Sequence, residues 1–291
     1  PYSTISSVAE SPLKFGLIYV GTDDGHVQVF RQHGWRNITA GLPRKWVSNI
    51  SPSIHKEGEV LVTLNGYRED DFQTYIYRSE DYGDNWPSLK GNLPDAVANV
   101  SIEDPVNPKL LYLGTDNGAY ISFDRGLNWQ LISGIPNVAC YDMIVHPRDN
   151  ELVVATHGRG IYIIDVKPVQ NLKNPEAVLH TYKLGSIKYN EKWGEARFPY
   201  LKPRQPETTW TYYLGQPSSK VMVTIHDGQG NLLRTLNGNG EPGFHHLKWD
   251  LRKEVIKKKK VVDTGFVSPG TYKITFASGS VRQEQQFSVK E

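Results

Sequence analysis

Ser79-Glu80-Asp81-Tyr82-Gly83-Asp84-Asn85-Trp86 and Ser122-Phe123-Asp124-Arg125-Gly126-Leu127-Asn128-Trp129 are two copies of one pattern, S-x-D-x-G-x-N-W. The spacing from Trp86 to Trp129 falls in the ~40–50-residue range of repeats built from four strands each. A second pattern recurs upstream of each copy. Leu110-Leu111-Tyr112-Leu113-Gly114-Thr115-Asp116-Asn117-Gly118 matches Leu17-Ile18-Tyr19-Val20-Gly21-Thr22-Asp23-Asp24-Gly25. Looser copies run Glu59 to Gly66 and Leu152 to Gly160. Each is a β-rich run that meets a turn and then a further strand, such as Ala119 to Ser122 or Ile161 to Ile164.

Working outward, the repeats divide Tyr2–Gly41, Leu42–Gly91, Asn92–Gly134 and Ile135–Lys167 into four units. The first copy of the octapeptide is degraded to Arg31-Gln32-His33-Gly34-Trp35, and the fourth unit stops after its third strand, Gly160 to Val166. The fold class expected is all-β: a partial β-propeller of about four blades over residues 1–167, a connecting segment 168–207, and an Ig-like β-sandwich over 208–291. In the last part, strands are expected at Thr209–Leu214, Lys220–His226, Asn231–Leu236, Gly243–Asp250, Gly270–Ala277 and Val281–Val289, with Asp227-Gly228-Gln229-Gly230 as a hairpin turn. The run Lys257-Lys258-Lys259-Lys260 reads as a solvated loop.

Composition fits this. Gly 26, Pro 18, Tyr 16 and Trp 7 in 291 residues suit short strands and tight turns. A net charge of +2 gives no bulk electrostatic support for nucleic-acid binding. The apolar runs are strand-sized, so no membrane span is expected. The single cysteine, Cys140, forms no internal disulfide and sits in an apolar strand pattern, as a buried inert thiol does. The 9 histidines lack H-x-H or H-E-x-x-H spacing, and no EF-hand, G-x-S-x-G or phosphate-binding loop is present, so neither metal nor cofactor is expected.

The octapeptides resemble Asp-boxes, also called BNR repeats, found in sialidases, sortilin-type receptors and Asp-box glycosidases. The phrase from Val145 to Tyr162, with His146-Pro147-Arg148-Asp149 and Thr156-His157-Gly158-Arg159-Gly160, is similar to bacterial sortilin-like propeller proteins labelled glycosyl hydrolases, common in Bacteroidetes. The tail, with Asp227-Gly228-Gln229-Gly230-Asn231, Trp249-Asp250-Leu251-Arg252 and Ser268-Pro269-Gly270-Thr271-Tyr272, is similar to the Ig-like domain of flagellar hook-capping proteins. The resemblance implies a secreted, periplasmic or cell-surface protein, with this chain as the last third of a longer, two-propeller relative.

A carboxylate repeated from blade to blade, as Asp81 and Asp124 are, suits a fold device better than a catalyst, which need occur only once. Ser79, Asp81, Gly83 and Trp86, and Ser122, Asp124, Gly126 and Trp129, are therefore expected to build turns and inter-blade packing. The resemblance puts the ligand site on the opposite face, where the second-to-third-strand loops and inter-blade connections gather. The candidates there are Tyr67, Arg68, Glu69, Asp70, Asp71, Asp116, His157 and Arg159, with Arg44-Lys45-Trp46, Asp23-Asp24, Asp95 and Asn137–Tyr141 around them. Loop 67–71 stands out by length and polarity; His157 and Arg159 suit either a ligand contact or a blade-closure contact. No catalytic residue is assigned. The reading is a binding or scaffold protein for a peptide, protein or glycan. The alternative is a glycoside hydrolase whose carboxylates lie partly on absent blades. Because no spare strand closes the ring, the remaining blades are expected from another chain or from an N-terminal part of the same protein.

Overall fold

The computed structural model describes residues 3–32, 34–196, 198, 200, 202–203, 205–257 and 260–291, with the side chains of 255–264 left aside. Tyr2 of the expected first strand, His33 of the degraded octapeptide and Lys258-Lys259 of the basic run fall outside these residues. The chain is almost all β and divides into two compact units, Pro1–Leu172 and Lys173–Glu291.

The first unit is a series of antiparallel meanders. The first comprises β1 (Ile5–Glu10), β2 (Ile18–Thr22), β3 (Val27–Arg31) and β4 (Gly34–Asn37). The second comprises β5 (Trp46–Pro52), β6 (Val60–Asn65) and β7 (Tyr75–Ser79), with Ser88 bridging to Tyr77 where a fourth strand would lie. The third comprises β8 (Ala98–Glu103), β9 (Leu111–Thr115), β10 (Gly118–Ser122) and β11 (Gln130–Leu131); the fourth has β12 (Cys140–His146), β13 (Glu151–Thr156) and β14 (Ile161–Asp165). The first strands β1, β5, β8 and β12 lie side by side in that order. Sheets stacked through their first strands are the arrangement of part of a β-propeller.

The strands are rich in β-branched and aromatic residues, several of them (β6, β9 and β10) buried on both faces, and the cores lie between meanders. Tyr19, Val27 and Val29 of the first meander pack with Val47, Ile50 and Val62 of the second; Leu61 and Ile76 of the second pack with Leu111, Leu113 and Tyr120 of the third. A β-bulge recurs at the start of every first strand, between Ile5 and Ser7, Val47 and Asn49, Ala98 and Val100, and Cys140 and Asp142. Bulges bend the strand and free side chains from the ladder. Here they free Ser6 Oγ to donate to Val47 O (2.8 Å) and Ser48 Oγ to donate to Ala98 O (3.0 Å), which stitches the first meander to the second and the second to the third. Cys140 is fully buried, and burial pushes its thiol up to about 11, the expected inert thiol.

Beyond β14 the chain makes one helical turn, Lys167–Gln170, and Gln170 Nε2 donates to the buried Asp104 carboxylate, which also accepts from Tyr112.

The second unit packs two sheets around one core. One has the order β16-β24-β23-β18-β19: β16 (Ile187–Lys188), β18 (Val221–His226), β19 (Leu232–Gly238), β23 (Gly270–Ser278) and β24 (Val281–Lys290). The other has the order β15-β17-β20: β15 (His180–Thr181), β17 (Thr208–Leu214) and β20 (Gly243–Trp249). Trp210 and Trp249 of the second sheet meet Phe287 of the first, with ring centroids 5.4 and 6.1 Å away. Residues expected only to connect contribute β15 and β16, and are tied down further where Gln283 Nε2 donates to Leu179 O and Gln285 Nε2 to Thr181 Oγ1. The basic run is corrected: Lys257 and Lys260 are the paired last and first residues of two strands, β21 (Arg252–Lys257) and β22 (Lys260–Phe266), not a loop. Lysine is a poor strand former, which hid a pairing carried by Val255↔Val262 and Ile256↔Val261.

Candidate functional site

The antiparallel course of each meander puts its third-to-fourth-strand turn at one end and its second-to-third-strand loop at the other. The octapeptides occupy the first end. Ser79 Oγ donates to Asp81 Oδ1 (2.7 Å) and accepts from Gly83 N (2.7 Å). Asp81 Oδ1 also accepts the amides of Asp84 and Asn85 (both 3.0 Å), and Asn85 Nδ2 donates to Asp81 Oδ2 (2.7 Å). Ser122, Asp124, Gly126 and Asn128 repeat the set: Ser122 to Asp124 at 2.8 Å, Gly126 N to Ser122 at 2.8 Å, and Asn128 Nδ2 to Asp124 at 2.7 Å. Gly83 adopts φ +91°, and a Cβ there would lie 2.4 Å from Ile38, so the turn requires glycine. Trp86 Nε1 donates to Ile38 O and Trp129 Nε1 to Leu89 O, each 2.8 Å, so each indole bonds a backbone carbonyl of the preceding meander.

The electrostatics follow. Hydrogen bonds from Asn85 first, then Ser79 and the turn amides, hold the Asp81 carboxyl at about 2. At Asp124 burial pushes upward, but donors from Asn128, Ser122 and the backbone leave it below the usual carboxylate range. Arg125, inside the second box, reaches across to the buried Glu59 (2.7 and 2.8 Å), joining the second and third meanders.

The opposite end is built differently. Tyr67–Glu69 form a 3-10 turn closed by Asp70 at φ +54°. Lys45, on the connection into the second meander, bridges Glu69 (2.6 Å) and Asp71 (3.0 Å), and Tyr75 Oη donates to Asp71 (2.8 Å). The Tyr75 hydroxyl first and Lys45 second hold the Asp71 carboxyl low. The Arg68 guanidinium lies over the Trp46 ring, 4.6 Å from its centroid. Tyr67 meets Phe72 edge-on at 5.8 Å, and both rings are exposed. Asp116 stands apart: its carboxylate accepts from Val97 N (2.9 Å), and burial raises it above the usual range. His157 and Arg159 lie on an exposed loop where His157 N donates to Ala139 O (2.8 Å) and its ring meets Tyr141 edge-on at 5.8 Å. Asp23 accepts from Thr4 N (2.8 Å), and Arg44 Nε donates to Asp24 O (3.2 Å).

The candidates thus fall into three groups: 67–71 with Lys45 and Trp46, Asp116 with Val97, and His157 with Tyr141. Phe72 and Tyr75 complete the first group and were not singled out in the sequence; the run of polar residues up to Thr74 was the available signal. Among the described residues, no group of three or more His, Cys, Asp or Glu side chains is placed to hold a metal, and no helix is long and apolar enough to cross a membrane.

No protein-family model and no curated protein matches the chain. Among solved structures it is similar to the GH74 xyloglucanase from Xanthomonas campestris, at 12% identity and a TM-score of 0.49, covering 98% of this chain and 45% of that one. It is also similar to YCF48 from Cyanidioschyzon merolae, at 11% identity and a TM-score of 0.37, covering 97% and 85%. The computationally designed Ika4 protein covers 56% of this chain and 91% of itself at 12% identity and a TM-score of 0.42. The chain spans less than half the length of the xyloglucanase it matches.

Proposed function

We propose that the chain is an extracytoplasmic binding or scaffold protein, four blades of an Asp-box β-propeller followed by an Ig-like sandwich, whose loop end recognises a glycan. The octapeptide carboxylates serve the fold, because their acceptor sites are occupied within their own turns. The observation that carries the binding reading is the exposed Tyr67–Phe72 pair beside the Arg68–Trp46 stack. Exposed rings suit the apolar face of a sugar, and Arg68, Glu69 and Asp70 supply donors and acceptors for its hydroxyls. An extended peptide is the competing ligand.

The test is an array carrying β-glucans, xylans, mannans, sialylated glycans and unmodified peptides. Glycan signal lost in Tyr67→Ala with the fold retained supports the reading. Signal on peptides alone, or glycan signal indifferent to Tyr67→Ala and Arg68→Ala, refutes it.

A second reading has one specific support. A glycosidase's general acid needs a pKa above the ordinary carboxylate value, and burial moves Asp116 in that direction against the opposing hydrogen bond from Val97 N. Release of reducing ends from a glycan, abolished in Asp116→Asn, would establish hydrolysis with the second carboxylate elsewhere.

A further inference from the structure

The second unit holds a cleft of its own, of about 400 Å³. Tyr189, Asn190 and Trp193 line it from the turn after β16, and Gln205 and Glu207 from the approach to β17. The turn places the two rings. Tyr189 N donates to Lys290 O (2.6 Å), which continues the parallel pairing of β16 with β24. Lys192 N then donates to Asn190 Oδ1 (2.9 Å) and Trp193 N to Asn190 O (3.1 Å), which folds the chain back. The Trp193 ring meets Tyr189 edge-on, with centroids 5.1 Å apart.

The rings are held from behind and open in front. Both pack against the sandwich core, and Trp193 meets Phe266 at 5.9 Å. Gly194, at φ +85°, closes the turn directly on that ring: an added Cβ would lie 2.9 Å from Phe266. Both rings nevertheless stay half-buried, and what is uncovered lines the cleft. Their polar ends are available too. Among the described residues, Trp193 Nε1, Tyr189 Oη, Asn190 Nδ2 and the Gln205 amide bond to no protein group. Glu207 Oε1 accepts from Lys248 Nζ (2.8 Å), which leaves Oε2 free.

We infer that this cleft binds a sugar residue of a glycan, as a second recognition site independent of the loop end of the first unit. Tyr189 and Trp193 carry the apolar face of the sugar. A sugar hydroxyl both donates and accepts, and the cleft answers with donors at Trp193 Nε1 and Asn190 Nδ2, an acceptor at Glu207 Oε2 and both at Gln205. The rings are already fixed by Phe266 and by the pairing to β24, so binding orders little that is free beforehand. The volume falls in the ~300–1,000 Å³ range of small-molecule sites. A proline-rich peptide is the competing occupant of a ring-lined cleft; the amides, carboxylate and indole N–H beside these rings favour a polyhydroxylated ligand. An open cleft that holds one sugar residue is expected to bind in the millimolar range, below what an array registers.

The experiment is a saturation-transfer NMR titration of the full chain carrying Tyr67→Ala, which removes the loop-end ring. The probes are cellohexaose, xylohexaose, mannohexaose, sialyllactose and a proline-rich peptide. At least one oligosaccharide is expected to bind. Adding Trp193→Ala is expected to abolish that binding, and adding Gln205→Ala to weaken it about fivefold, the loss of one hydrogen bond. Gln205 is exposed and has no protein partner among the described residues, so its variant decides the matter should Trp193→Ala fold poorly. No oligosaccharide bound, transfer to the peptide alone, or binding that a folded Trp193→Ala or Gln205→Ala leaves unchanged overturns the inference. The loop end is read separately on the array. A Tyr67→Ala chain silent in NMR beside a wild type that still gives array signal therefore rejects the cleft and leaves the loop-end reading standing.

Discussion

The two ends of the first unit are both rich in aspartate and aromatic residues, and they use them in opposite ways. At the octapeptide end, the Asp81 and Asp124 oxygens are filled by their own turns and Trp86 and Trp129 are buried. At the loop end, Glu69 and Asp71 are tied to a lysine from the connecting segment, while Tyr67 and Phe72 remain exposed. The lesson is that an acidic cluster has no function by composition. What its lone pairs are already bonded to, and whether the neighbouring rings are covered, separates a fold device from a recognition surface.

The comparison breaks most visibly at the tryptophans. Trp129→Ala should cost about 3–5 kcal/mol, because a buried indole is removed and Leu89 O loses its donor. Urea unfolding measures this, and a loss below about 1 kcal/mol would place the ring outside the core. Next, Asp124→Ala should cost about 1–3 kcal/mol by stranding the donors of Asn128 and Ser122. An unchanged midpoint in urea would contradict the turn's role.

Acid sharpens the same point. Asp81 is held at about 2 against an ordinary 3.8, so its folded value is depressed. Its contribution is therefore complete above about pH 4 and is lost as pH falls toward 2. Solvent screening at this open turn limits the effect to about 1 kcal/mol. Titrating unfolding of wild type and Asp81→Ala across that window should show a steeper acid loss in the wild type; parallel curves would refute it. The smallest effect is expected at the other end, where Tyr67→Ala and Arg68→Ala should change stability by no more than about 0.5 kcal/mol. A larger loss there would make the loop structural too.

Much of the β architecture was legible, for reasons particular residues show. The repeated Gly83 and Gly126, the tryptophans and the continuous apolar run Leu110–Leu113 each dictate a local geometry that one sequence displays. Ile161 and Ile163 read as ordinary strand residues, and only the register against Val27, Ile76 and Val29 reveals that their face is bare. The bulges at Ser6, Ser48, Asn99 and Tyr141 left no common residue type to find. At the candidate site, the polar loop 67–71 was visible, but the stack of Arg68 on Trp46 and the bridge from Lys45 join segments more than twenty positions apart, which no local spacing encodes. The β21–β22 pairing was hidden because lysines stand at its paired ends, Lys257 and Lys260, where strands usually advertise β-branched or aromatic residues.

The most direct test is the binding isotherm of Asp124→Ala against the oligosaccharide selected on the array, beside that of Tyr67→Ala, both at a temperature where circular dichroism shows each variant folded. The account predicts wild-type affinity for Asp124→Ala and lost binding for Tyr67→Ala. Lost binding in a folded Asp124→Ala, with Tyr67→Ala unaffected, would place the ligand at the octapeptide end and contradict it.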